Sequence, residues 1–246
     1  MQVGGIDISV SRKNIKNLHL YVKPPAGRVE VSAPLAIADS AIAIFVRMHL
    51  GWIRRKRAEL LAQPRQTKRE FISGETLYLF GRQYFLQVDY SEHGNSLALS
   101  GNTANLKVRR SSTAEQRERY VAEWYRTRLT AEIERLMPKW EATTGLKCVD
   151  WKIKNMTTRW GSCNVAKGRI WLNLQLVKKP LRALEYVILH ELCHLKEKNH
   201  GQGFKAMMDS FMPNWREVRK ELNDQILDYI DETPANAQRA GKDLLK

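Results

Sequence analysis

Cysteine is scarce. The chain of 246 residues holds three, Cys148, Cys163 and Cys193, an odd number with no Cys-x-x-Cys spacing. That argues against a disulfide framework or a cysteine zinc knuckle and points to a reducing compartment, the cytoplasm. Long apolar runs are lacking too. No stretch approaches the ~20 residues of a spanning helix, so no membrane span is expected. The opening Met1-Gln-Val-Gly-Gly-Ile-Asp7 lacks the basic-then-apolar order of a secretory signal. Acidic residues are the minority charge, 26 against 41 Lys and Arg, for a net +15. Residues 1–72 carry 13 Lys and Arg against 5 Asp and Glu. Such a surface favours anionic partners such as nucleic acid, nucleotides or acidic protein, although solubility alone explains it equally well. No P-loop and no basic recognition motif accompanies it.

What is present is a concentration of histidine. Three of the six histidines fall in His190-Glu-Leu-Cys-His-Leu-Lys-Glu-Lys-Asn-His200. On a helix His190 and His194 lie one turn apart on one face, so both imidazoles can reach a single metal ion. Glu191 is placed to handle a water at that ion rather than to bind the ion. His200 is the natural third ligand only if the helix stops, because six helical residues rotate a side chain by roughly 240°. The chain must therefore turn between Glu197 and His200, where Asn199 and Gly201 suit a left-handed conformation. This spacing equals that of the metzincins, except that Glu197 stands where those proteins have glycine. Leu184, Val187, Ile188, Leu192 and Leu195 form the apolar face that a helix carrying these ligands requires.

The pattern along the chain predicts an α+β protein. With 43% apolar residues, a core can form. Residues 6–10, 18–22 and 29–33 read as strands, the last two joined through Pro24-Pro-Ala-Gly27 as a hairpin. One helix is expected from Asp39 to Ala62, with its stripe at Ile42, Phe45, Val46, His49, Leu50 and Ile53, a stop at Pro64 and the basic run Arg54-Arg-Lys-Arg57. Residues 77–80 and 84–88 flank a turn at Gly81-Arg-Gln83, and 97–99 and 106–108 add strands. No internal repeat is visible. A long helix is capped at Thr113 with Gln116, kinks at Pro138 and ends at Thr144-Gly145. Residues 149–153 and 169–173 are strands, with Thr157-Thr-Arg-Trp-Gly-Ser-Cys163 between them. Pro180 opens the histidine helix, and two amphipathic helices follow, the last reaching about Ile230. The domains so read are a basic β-rich module with one helix at 1–112, a second domain at 113–231 and a frayed polar tail at 232–246.

Arg159-Trp-Gly-Ser-Cys163, Ile170-Trp-Leu-Asn173, His190-Glu-Leu-Cys-His194-Leu and Asn199-His200 with Phe204 together resemble the YgjP-like zinc metallopeptidase family. That family is similar to the SprT-like and WLM minimal zincins. Val29-Glu-Val-Ser-Ala-Pro34 and Trp52-Ile-Arg-Arg-Lys56 match its N-terminal module. The resemblance implies a zincin-like C-terminal domain, one zinc ion on His190, His194 and His200, Glu191 as base, and a polypeptide substrate. It also implies an active-site role for 159–163, and a substrate lying along an edge strand, expected here near 169–174. Arg159 is the candidate second electrophile, ahead of Asn155 and Tyr186, with a structural ion pair as its competing role. Trp160 and Cys163 read as packing. Two other functions stay open: hydrolysis of a nucleoside triphosphate at the same site, and docking of nucleic acid on the basic N-terminal part.

Overall fold

Alternating apolar residues shape the first sheet of this computed structural model, which describes residues 1–23, 27–62, 69–156 and 159–224. Contacts divide the described chain into two units, one within Met1–Lys68 and one within Arg69–Gln225. In the first unit, β1 (Gln2–Val3), β2 (Ile6–Lys13), β3 (His19–Lys23) and β4 (Arg28–Pro34) form a sheet in the order β1-β2-β4-β3. β2 and β4 run parallel, and the expected hairpin pairs His19 with Ser32 and Lys23 with Arg28. Ile6, Ile8, Val29 and Val31 point to one face and are buried with Ile42, Val46 and Ile53 of two helices. These are α1 (Asp39–Met48) and α2 (Leu50–Ala62), not the single helix expected over 39–62. The break falls at His49. Its backbone leaves the helical region, its N–H bonds back to Val46, and its ring Nδ1 donates to the Phe45 carbonyl at 2.7 Å. The expected stop at Pro64 lies outside the described residues.

The second unit opens with β5 (Thr76–Leu79), β6 (Arg82–Tyr90), β7 (Ser96–Ser100) and β8 (Thr103–Val108), ordered β5-β6-β8-β7 with β6 and β8 parallel. Strand order and pairing repeat those of the first sheet, a recurrence that the sequence does not display. The β5–β6 turn sits at Phe80-Gly81, both at positive φ, the geometry of a two-residue hairpin. It lies earlier than the expected Gly81-Arg-Gln83. Phe80 and Gly81 donate their backbone N–H to Val177 and Lys178, and a Cβ on Gly81 would lie 3.0 Å from Pro180. These contacts tie residues 76–108 to the chain leading into the histidine helix, so they share its core rather than that of residues 1–68.

α3 (Ala114–Thr144) has the expected Thr113–Gln116 capping box, runs through Pro138, and ends at Gly145 with φ 69°. It buries Val121, Tyr125, Leu129, Ile133, Leu136, Met137 and Trp140. Next come β9 (Asp150–Lys154), β10 (Gly161–Asn164) and β11 (Arg169–Asn173), ordered β10-β11-β9. β10 forms within a segment that carries no strand pattern. α4 (Leu181–Cys193), α5 (Gln202–Phe211) and α6 (Trp215–Asp224) complete the unit. Among the described residues, no helix is long and apolar enough to cross a membrane. The expected tail at 232–246 lies outside them, as does the last helix beyond residue 224.

Candidate active site

α4 is held by its apolar side. Leu184, Ile188, Leu189 and Leu192 are fully buried, and Val187 is nearly so. The helix ends at Cys193, with His194 as its C-cap. It therefore stops earlier than the expected turn between Glu197 and His200. Leu195, Lys196 and Glu197 donate their N–H groups back to Leu192 and Cys193, and His194 Nδ1 donates to the Glu197 carbonyl at 2.9 Å. Neither Asn199 nor Gly201 adopts positive φ. Glu197, in the position that is glycine in metzincins, lies against Gly203 in the first turn of α5, where a Cβ would meet its Oε1 at 2.7 Å. A carboxylate suits that end of a helix, where backbone N–H groups are unpaired.

The result is convergence. His190 Nε2 lies 3.2 Å from His194 Nε2 and 3.1 Å from His200 Nε2, and one ligand atom from each ring falls within 4.8 Å of the others. The Phe204 ring packs against all three, with centroids at 4.9, 4.8 and 4.7 Å, and is itself buried. A carbonyl can only accept, so His194 carries its proton on Nδ1 and turns the lone pair of Nε2 inward. His190 Nδ1 is 3.4 Å from the Tyr186 hydroxyl. Burial, then the neighbouring histidines, pushes the His190 pKa down to about 3, and burial also lowers that of His200. His190 and His200 are thereby kept neutral, and the three Nε2 atoms face one point. A set of three nitrogen donors fits zinc rather than the oxygen-seeking calcium or magnesium.

Glu191 is 5% exposed, and burial pushes its carboxyl pKa up to about 8, opposed by the charge of Arg159. It fits because residue 161 is glycine: a Cβ there would lie 2.6 Å from Glu191 Oε1. The edge strand β10 thus runs directly beside the carboxylate. The edge-strand expectation for residues 169–174 is overturned, because β11 is the central strand, paired on both sides. β10, one of the two edges, is the one at Glu191.

Arg159 is exposed and makes no ion pair among the described residues, so the competing structural role lacks a partner there. Asn155 is engaged by Gln175 at 2.9 Å. Tyr186 sits behind His190, at the ring nitrogen away from the triad, with its hydroxyl pKa pushed by burial to about 12. Burial raises the Cys163 thiol to about 11 and the Cys193 thiol likewise, so both stay protonated at neutral pH. Thr157 and Thr158 lie outside the described residues.

Sequence reasoning missed the role of Asn173. Its buried side chain donates to the carbonyls of Met156 at 2.8 Å and Arg159 at 2.7 Å, and accepts from the N–H groups of Met156 and Gln175. It clamps the segment that presents Arg159. An asparagine ending an apolar strand was the only available signal. Gly161 was visible only as part of a motif.

The sequence profile described as YgjP-like, metallopeptidase domain, matches residues 16–225. No curated protein matches. Among solved structures, the metallopeptidase zymogen of Pyrococcus abyssi abylysin is 19% identical, with a TM-score of 0.35, covering 37% of this chain and 90% of its own. The zymogen of Methanocaldococcus jannaschii jannalysin is 23% identical, with a TM-score of 0.34, covering 37% and 92%.

Proposed function

The chain belongs to the YgjP-like metallopeptidase family, and on that premise we propose that it hydrolyses peptide bonds with one zinc ion held by His190, His194 and His200. The observation that carries this reading is the meeting of three imidazole Nε2 atoms beside a buried carboxylate. Zinc held there would supply Lewis acidity, polarising a carbonyl and bringing the pKa of water toward about 7.

The chain's own residues do the rest. Glu191 takes the proton of the attacking water and returns it to the leaving amine. Its apolar surroundings raise its basicity toward neutral pH, where proton transfer in both directions is easiest. Arg159, on the Glu191 side, is the group for the developing oxyanion. β10 offers an edge for an extended polypeptide, with Gly161 keeping the backbone close to Glu191.

The test compares wild type with Glu191→Gln on fluorescein-labelled casein after loading with zinc. Wild type cleaves; the variant keeps its zinc and does not. Equal cleavage by both would overturn the role of Glu191. Nucleotide hydrolysis at the same site and nucleic-acid docking both draw on the excess of Lys and Arg, and no geometry among the described residues favours either.

A further inference from the structure

Glycine and carboxylate meet twice around the histidines. Gly161 lies against Glu191, and Gly203 lies against Glu197. The second meeting has no part in the proton transfers assigned to Glu191. Glu197 is half-buried and follows the end of α4, and Gly203 is the second residue of α5. A Cβ at Gly203 would lie 2.7 Å from Oε1 of Glu197, 2.9 Å from Cδ and 3.4 Å from Oε2, so the whole carboxylate rests on that residue. α5 itself has no side-chain cap at Gly201 and no acid in its first turn.

The backbone of Glu197 is held as well. Its N–H donates to the Cys193 carbonyl at 2.9 Å, and its carbonyl accepts from Nδ1 of His194 at 2.9 Å. One residue thus grips both ends of the segment that carries the third histidine. At one end its main chain is fastened to α4 and to His194. At the other its carboxylate meets Gly203, closing residues 197–203 into a loop. The turn is made without positive φ at Asn199 or Gly201. His200 lies inside this loop and is exposed, so packing constrains it less than it does His190 and His194. Phe204, next to Gly203, is buried against all three imidazoles.

We propose that Glu197 is a positioning residue of the metal site, its carboxylate closing the loop that delivers His200 and its carbonyl orienting His194. A carbonyl can only accept, so it keeps the His194 proton on Nδ1 and leaves Nε2 free for a cation. The carboxylate restricts the loop before any metal arrives, so less ordering entropy is lost when His200 engages. Removing a group that holds ligands without touching the metal typically weakens metal binding by roughly ten- to a hundredfold.

The inference rests on the zinc reading of the three histidines, and its test separates the two. Zinc affinity of the full chain is measured by competition with a chromophoric chelator, and Tm of the zinc-free protein is measured alongside. Glu197→Ala loses roughly tenfold or more in affinity with the zinc-free Tm unchanged, a combination that a merely structural role would not give. Glu197→Gln, of equal length, recovers part of the loss. Gly203→Ala weakens zinc binding by displacing the carboxylate. In the Glu197→Ala background it adds no more than about a twofold change, because the three nearest atoms it would strike are gone. Adding Glu197→Ala to His200→Ala likewise changes the remaining affinity by no more than about twofold, since the side chain acts through His200. Wild-type affinity in Glu197→Ala, a loss matched by a fall in the zinc-free Tm, or full additivity in either pair overturns the proposal. A wild type that binds no zinc overturns the metal reading together with it, whereas zinc bound equally by wild type and Glu197→Ala overturns the role of Glu197 alone.

Discussion

The carboxylate of Glu191 occupies the space in which a side chain at Gly161 would begin: a Cβ there would lie 2.6 Å from Oε1, 2.8 Å from Cγ and 2.9 Å from Cδ. The three nearest heavy atoms all belong to Glu191, and that side chain is buried and cannot swing into water. Gly161→Ala should therefore displace the carboxylate while leaving the histidines in place. Misplacement of a catalytic group by about 1 Å lowers turnover roughly a hundredfold. The expected outcome is a zinc content equal to wild type with casein hydrolysis reduced by about that factor. Wild-type hydrolysis would show that the neighbouring strand simply yields.

His200 differs from the other two histidines in being exposed and in lying beyond the end of α4. His200→Ala removes one of three donors and should lower zinc stoichiometry after dialysis well below one. The fold should remain, because Phe204 and α4 hold the core without it. Metal analysis together with circular dichroism checks both halves. An undiminished stoichiometry would mean that the cation is held in another way.

A cation bound only by the folded state stabilises it by mass action, about 2.7 kcal/mol when the free ion is a hundredfold above its dissociation constant. Adding a chelator to zinc-loaded protein should lower Tm, and restoring zinc should raise it again. The chelator should leave the Tm of His200→Ala nearly unchanged. Equal shifts in both proteins would point to zinc bound elsewhere.

Asn173 joins four backbone groups of the 155–175 region through one buried amide. Asn173→Ala leaves those donors and acceptors without partners and should destabilise the protein by about 2–3 kcal/mol. Urea unfolding measures this. Because the amide holds the Arg159 carbonyl, hydrolysis should fall further than the loss of folded protein explains. A change below about 0.5 kcal/mol would mean that water replaces the clamp.

Asp209 accepts hydrogen bonds from Arg216 and from the Trp215 indole, and the Arg216 bond foremost holds its carboxyl below the usual carboxylate range. A carboxyl with a depressed folded-state pKa adds stability above its unfolded value of 3.8, and that stability is lost as pH falls through the folded value. The difference in Tm between wild type and Asp209→Asn should be constant from about pH 5 to 7 and should shrink below pH 3.8. A difference independent of pH would assign the effect to packing of Trp215 instead.

Local relations were legible in the residues themselves. His190 and His194 are four apart on a helix whose apolar face is complete without them, so their pairing follows from helix geometry. The Thr113–Gln116 cap, the Gly145 stop, most strands and the family resemblance were equally readable, because each lies within a few neighbouring residues. His200 could be named only on condition that the helix stopped. It stops through hydrogen bonds back to Leu192 and Cys193 and a bond from His194 to the Glu197 carbonyl, not through the expected left-handed Asn199 or Gly201. Tertiary structure alone decided that residues 76–108 share a core with the histidine helix, that β10 rather than β11 is the edge strand at Glu191, and that Gly161 and Asn173 stand around the site. The reason is physical: a helical face repeats every few residues along the chain. Which strand lies outermost, which backbone crowds a carboxylate and which cation is left unpaired depend on partners distant in sequence, brought together only by packing.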